Sequence, residues 1–176
     1  MLKEKTVRKM NIGTVLFDQS KGAAVVTLTE EDGERALSIY IGIPEGMAVF
    51  RELNRTPNQR PLILDLFQTV LQGLQTRLEK VLVDSMSDTT YYARLYLRHQ
   101  DTTVVVDARP SDAMALAVKF QAPIYVAEAV LQAAGKRGDF AVPAEDTSRA
   151  QREEASSDDL QSWLENIRPE DFADPQ

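Results

Sequence analysis

Cysteine is absent from the 176 residues. That excludes disulfides, cysteine zinc sites and thiol nucleophiles together, and fits a reducing compartment. Histidine is nearly absent too: His99 is the single one, so one chain holds no histidine-cluster metal site and no two-histidine mechanism. It lies in RHQDTT, between two strand-like runs, and reads as a solvated turn residue. No apolar run approaches the ~18–20 residues of a membrane span. The opening MLKEKTVRKMNIG has no apolar signal-peptide core, so the expected location is the cytoplasm, with no membrane partner.

A basic stripe is also missing. The net charge is −7, and residues 136–176 carry eleven acidic against five basic side chains. Residues 1–135 carry sixteen against fifteen, so the acidity belongs to the C-terminal stretch. This counts against constitutive nucleic-acid binding, and less against a nuclease, because a divalent cation can supply local positive charge. What remains for chemistry is carboxylates, arginines and a hard metal ion.

The patterning predicts an α+β domain with a mixed, largely antiparallel sheet and packed helices, followed by a tail. Residues 6–18 read as a strand interrupted at Gly13, and 23–29 and 35–42 as a hairpin about the Asp32-Gly33 step. Pro44 starts a short helix with Glu45 in its first turn. A second helix covers 62–75, with Leu62, Leu66, Val70, Leu71 and Leu74 on a 3.6 period. Three strands, 77–87, 90–98 and 102–108, read as a meander, with Tyr91, Ala93, Leu95 and Leu97 on one face and Tyr92, Arg94, Tyr96 and Arg98 on the other. A buried helix runs from Pro110 to about Phe120, then a short strand in APIYV and a helix ending at Gly135. Met47, Met86 and Met114 read as core filler. Residues 1–135 form the expected domain, 136–157 a flexible acidic linker and 158–176 a helical segment with Leu160, Trp163, Leu164 and Ile167.

DARPSDAMALA, residues 107–117, joins a strand to a helix. Phosphodiester hydrolysis needs an activated water, a stabilised phosphate and an assisted leaving oxygen. One or two Mg2+ or Mn2+ ions on carboxylates supply all three, and arginine adds a bidentate phosphate clamp. The candidates are Glu45, Asp65, Asp107 and Asp112 as metal ligands, Asp107, Arg109 and Asp112 as the catalytic group, and Arg60 and Arg109 as substrate contacts. Each also has a structural reading: Asp107 with Arg109 locks the turn, and Asp112 complements the helix dipole. Tyr91, Tyr92 and Tyr96 either pack the sheet or stack on bases.

Five separated stretches occur in the order of one family: IYIGIPEG (39–46), RPLILDL (60–66), DTTYYARL (88–95), DARPSDAMALAV (107–118) and APIYVAEAVL (122–131). Together they resemble the bifunctional nuclease domain family over residues 8–135, and WLENIRPEDF resembles a C-terminal segment of some members. The resemblance implies an α+β fold, a homodimer and nuclease activity on DNA and RNA. Glu45, Arg60, Asp65, Asp107, Arg109 and Asp112 match family positions. Leu64 stands where the family usually has histidine, and Thr89 where it usually has glycine. The alternative is a non-catalytic homodimeric regulatory module with the same fold. On a further reading, the acidic tail occupies the basic site residues and restrains activity.

Overall fold

Two antiparallel meanders are joined by one short strand. The computed structural model describes residues 6–138. The predicted segment 158–176, and the predicted linker beyond residue 138, lie outside the described residues. β1 (Val7–Asp18), β2 (Ala23–Glu30) and β3 (Arg35–Gly42) form the first meander, with a 3-10 turn at Gln19–Lys21 between β1 and β2. β4 (Thr76–Ser87), β5 (Thr90–His99) and β6 (Thr102–Ala108) form the second. β7 (Ile124–Ala127) pairs antiparallel with β1 and parallel with β4. β8 (Lys136–Arg137) adds to β3, so the first two residues of the predicted linker belong to the sheet. The order is β6-β5-β4-β7-β1-β2-β3-β8, a mostly antiparallel mixed sheet with four helices in an α+β domain.

Strand alternation divides the sheet into two faces. Ala24, Val26, Leu28, Leu37, Ile39, Val81, Val83, Ala93, Leu95 and Val126 are buried on the helix side. Tyr40, Tyr92 and Arg94 lie on the outer face, and Lys80 there sits 4.6 Å from the Tyr96 ring centroid, a cation–π contact. Gly13 marks a register shift in β1 between Ile12 and Thr14, as its interruption of the strand pattern predicts. His99 ends β5, exposed, with Nδ1 3.1 Å from Thr76 Oγ1. Met114 is fully buried, while Met47 and Met86 are half-buried.

α1 (Ile43–Leu53), α2 (Ile63–Gly73), α3 (Pro110–Phe120) and α4 (Glu128–Ala134) complete the domain. α3 buries Ala113 through Ala117, as its apolar sequence predicts. α1 lies close to β2 because Gly46 lacks a Cβ; one built there would stand 2.5 Å from the Ala24 Cβ. Phe17 and Phe50 meet edge to face beside it, centroids 6.0 Å apart.

α2 departs from the expected stripe. Leu71 is buried and Leu64 and Phe67 pack on the core, a 64/67/71 face. Leu62, Leu66, Val70 and Leu74, four of the five stripe residues, point outward with Ile63 and are 46–75% exposed. The apolar arc of α2 is broad and lies opposite a polar stripe of Asp65, Gln68, Thr69 and Gln72, so the sequence period does not select which edge of the arc faces inward; the fit of Phe67 and Leu71 to the core does. Among the described residues, no helix is long and apolar enough to cross a membrane.

Candidate functional site

Three of the candidate carboxylates occupy the same place in three different helices. Gly42 caps α1, Leu62 caps α2 and Arg109 caps α3, so Glu45, Asp65 and Asp112 are each the third helical residue. There a carboxylate meets the positive end of the helix dipole and can accept from free backbone N–H groups. Only Asp65 does the latter, accepting from Leu62 N at 2.8 Å. What separates the three is the cation each one meets.

Arg109 joins the other two. Its Nε and Nη2 donate to Asp112 at 2.7 and 3.1 Å, and its Nη1 donates to Glu45 at 3.0 Å. Both carboxylates hold the guanidinium in its charged form and raise its pKa, Asp112 the more strongly. Gly42 makes room for this: a Cβ there would stand 2.4 Å from Glu45 Oε2. The group faces a cavity of about 310 Å3 whose wall includes Tyr40, Tyr91 and Ser111. Ser111 is buried, and Tyr91 is buried enough for its phenol pKa to rise. Asp88 takes the positive φ of the β4–β5 turn at 53°, so Thr89, at the usual glycine position, needs no left-handed backbone.

Asp107 does not share this group. It pairs in register with Arg94 and so emerges on the outer face, away from the helices. The reading in which Asp107 and Arg109 lock the turn is therefore corrected. The strand sends residue 107 outward, and Arg109 takes Asp112 and Glu45 instead.

Asp65 and Arg60 lie at the other end of the α1–α3 pair. Lys119 donates to Asp65 and sits 3.3 Å from Glu52. Its bond lowers the Asp65 pKa, assisted by the Leu62 N–H, and Asp65 in turn raises that of Lys119. Glu45–Arg109 ties the starts of α1 and α3, and Glu52–Lys119 ties their last turns, so the two helices run side by side in one direction. Seven residues separate Asp112 from Lys119, about 10 Å along the axis at ~1.5 Å each. Arg51, Arg55 and Arg60 surround a cleft of about 720 Å3 at this end. Leu64, at the usual histidine position, packs on the apolar core one residue from Asp65.

The sequence reading missed Glu52, Lys119, Arg51 and Arg55. A signal for the first two exists: each lies seven residues, two turns, beyond Glu45 or Asp112 and so on the same helix face. A second network also went unforeseen. Arg35 donates to Glu30 at 2.7 and 2.8 Å and to Glu128 at 2.7 and 3.2 Å, tying β3 to α4.

Among the described residues, no three of histidine, cysteine, aspartate and glutamate gather closely enough to hold a metal ion. Mg2+ commonly takes only one or two carboxylates and fills its remaining positions with waters and substrate phosphates. Glu45 and Asp112, facing one arginine, match that donor set. They do not form a preformed cage.

The chain matches the bifunctional nuclease domain model over residues 26–138. It is 33% identical over 158 residues to uncharacterized proteins from two Mycobacterium tuberculosis strains, spanning 90% of this chain and 93% of theirs. It is 25% identical over 114 residues to rice proteins named bifunctional nuclease 1, which is 63% of this chain and 34% of theirs. With the domain model covering most of the described residues and the DARPSDA junction building the charged group, the chain belongs to the bifunctional nuclease domain family.

Proposed function

We propose that the protein hydrolyses phosphodiester bonds of DNA and RNA, with the Glu45–Arg109–Asp112 group as its centre. The observation that carries this is Arg109 held between two carboxylates from two parallel helix starts, at the wall of an open cavity. Asp112 fixes the guanidinium from two sides and Glu45 from a third. A phosphate entering the cavity takes the Glu45 position on Nη1 and meets a donor already aimed.

The local charge argues for a divalent requirement. Two carboxylates and one guanidinium sum to −1, which repels a phosphate. Mg2+ or Mn2+, held by Glu45 and Asp112, would reverse that sign and supply water activation and phosphate neutralisation. Asp65 and Asp107 stand apart from this group, Asp65 on Lys119 and Asp107 on the outer face. The test is cleavage of labelled DNA and RNA by the folded protein. Arg109→Ala and Asp112→Ala are expected to abolish it, and so is EDTA. Cleavage that survives both substitutions or persists in EDTA rejects this centre.

A second reading rests on α2. Its outward apolar row of Leu62, Ile63, Leu66, Val70 and Leu74 carries no charge and complements itself, which fits a homodimer interface. On this reading the protein is a homodimeric regulatory module, and the Arg109 group only fixes helix starts. Sharp losses of melting temperature in Arg109→Ala and Asp112→Ala, in a protein that never cleaves nucleic acid, would favour it. Leu66→Lys is expected to give monomers by light scattering; an unchanged mass sinks the interface.

A further inference from the structure

We propose that the cleft bounded by Arg51, Arg55 and Arg60 anchors the phosphodiester backbone of a single nucleic-acid strand without a metal. This rests on the nuclease reading, because the strand it holds is the one delivered to Arg109.

The charge balance of the cleft opposes that of the chain. Arg51, Arg55, Arg60 and Lys119 line it with Glu52 and Asp65, a local +2 in a chain of −7. Lys119 engages both carboxylates. The three guanidinium groups therefore face the cleft with no carboxylate partner among the described residues. Arg51 donates through Nη2 to Asn58, and its Nε is shielded from water without an acceptor. Such donors repel a cation and suit phosphate, whose oxygens match the guanidinium fork.

The backbone that carries Arg51 and Arg55 is also fixed. Thr56 N–H donates to Arg51 O at 3.0 Å and Arg55 N–H to Glu52 O at 3.2 Å. This is the Schellman closure of α1, with Arg55 in the left-handed position at φ 50°. Glycine usually sits there, so arginine accepts backbone strain at the cleft rim. α3 closes the same way through Gln121, at φ 54°, on the opposite wall. Pro61 stiffens the chain after Arg60.

A polymer fits better than a small anion. Arg55 and Arg60 are exposed, so a ligand stays half in water, as a strand in a charged groove does. The near edge of the cleft, at Lys119, lies about 10 Å from Asp112 along α3, about three nucleotides at a strand rise of ~3.4 Å.

The experiment is fluorescence anisotropy of the full chain in EDTA. The probes are labelled single-stranded DNA and RNA of about a dozen nucleotides, within the ~4–16 that a single-strand site covers. Both probes are expected to bind. Arg55→Ala with Arg60→Ala should weaken binding about tenfold or more and flatten the salt slope by about 1.4, two contacts at ~0.7 each. Arg77→Ala, an exposed cation of β4 outside the cleft, should change affinity less than about twofold and leave the salt slope unchanged. Should the double variant fail to fold, Arg60→Gln alone should flatten the slope by about 0.7. Three results overturn the proposal: no binding by the wild type, unchanged affinity and slope in folded variants, or tripolyphosphate binding as tightly as the strands. Mg2+-dependent cleavage is measured in parallel. Arginine-dependent binding without cleavage leaves the anchor standing and rejects the nuclease centre; cleavage with variant-insensitive binding does the reverse.

Discussion

The two ends of the α1–α3 pair use the same residue types in opposite proportion. At the starts of the helices, two carboxylates surround one guanidinium, and the arginine is fully engaged. At their last turns, one ammonium engages two carboxylates, and three guanidinium groups are left facing a cleft. The first end is negative, and on the proposed reading a divalent cation would precede a phosphate there. The second is positive, and on the proposed reading it takes the phosphate directly. Counting charged residues along the sequence does not separate these ends, because each holds acids and bases. Which groups are already paired decides what each end attracts.

The comparison breaks most plainly at the negative end. Glu45→Gln with Asp112→Asn should lower Mg2+-dependent cleavage by on the order of 10²–10³-fold, the range seen when groups aimed at developing charge are removed. Strand binding in EDTA should hold or tighten, since two negative charges leave. A parallel loss of both functions would show that the ends do not act separately.

At the positive end, Lys119→Met leaves Glu52 and Asp65 without their cation. Charge-assisted hydrogen bonds of this kind are worth about 2 kcal/mol, read as a fall in denaturation midpoint. The pH dependence follows from the shifts. The lowered Asp65 pKa gives stability that is present above the ordinary aspartate value of ~3.9 and lost as pH falls through the folded one. The raised Lys119 pKa gives stability that is present below ~10.4 and lost as pH rises through its folded value. Lys119→Met should flatten both limbs; limbs unchanged from wild type would contradict the pairing.

Gly42→Ala sharpens the contrast more gently. Its Cβ displaces only the end of a flexible glutamate, so thermal stability should stay near wild type while cleavage falls about tenfold from misplacement of Glu45. A large stability loss with normal cleavage would contradict this.

The smallest effect lies outside both ends. Glu128 is held at about 2, chiefly by its hydrogen bond from Arg35. Its stability contribution is present above ~4.3 and lost as pH falls toward about 2. Glu128→Gln should remove about 1 kcal/mol of that acid-range stability in denaturant titrations and leave cleavage and binding unchanged. Loss of either function would tie this network to the two ends.

The fold was largely legible. Alternation in Tyr91, Ala93, Leu95 and Leu97 placed β5 correctly, and Asp32-Gly33, Gly13 and Pro110 marked a turn, a bulge and a helix start. α2 was legible as a helix but not in orientation, because its apolar arc is wider than one contact face and leaves the buried edge to its neighbours. The site was half legible. Arg109 and Asp112 lie three residues apart, and Glu45 was marked by its helix start. Lys119 was marked only by its two-turn spacing from Asp112, and Arg51 and Arg55 carry no local pattern that separates them from ordinary surface cations.

By itself the sequence determined the elements and the third-position carboxylates, because caps, periods and turns act within a few residues. It also carried the family pattern. Only the tertiary structure decided that α1 and α3 lie parallel and side by side. That depends on four-residue β7 entering between two meanders and on Gly46 settling α1 onto β2. Long-range packing of this kind joined Glu45 to Arg109 and Glu52 to Lys119, sent Asp107 to the other face, and so distributed one set of charges between two sites.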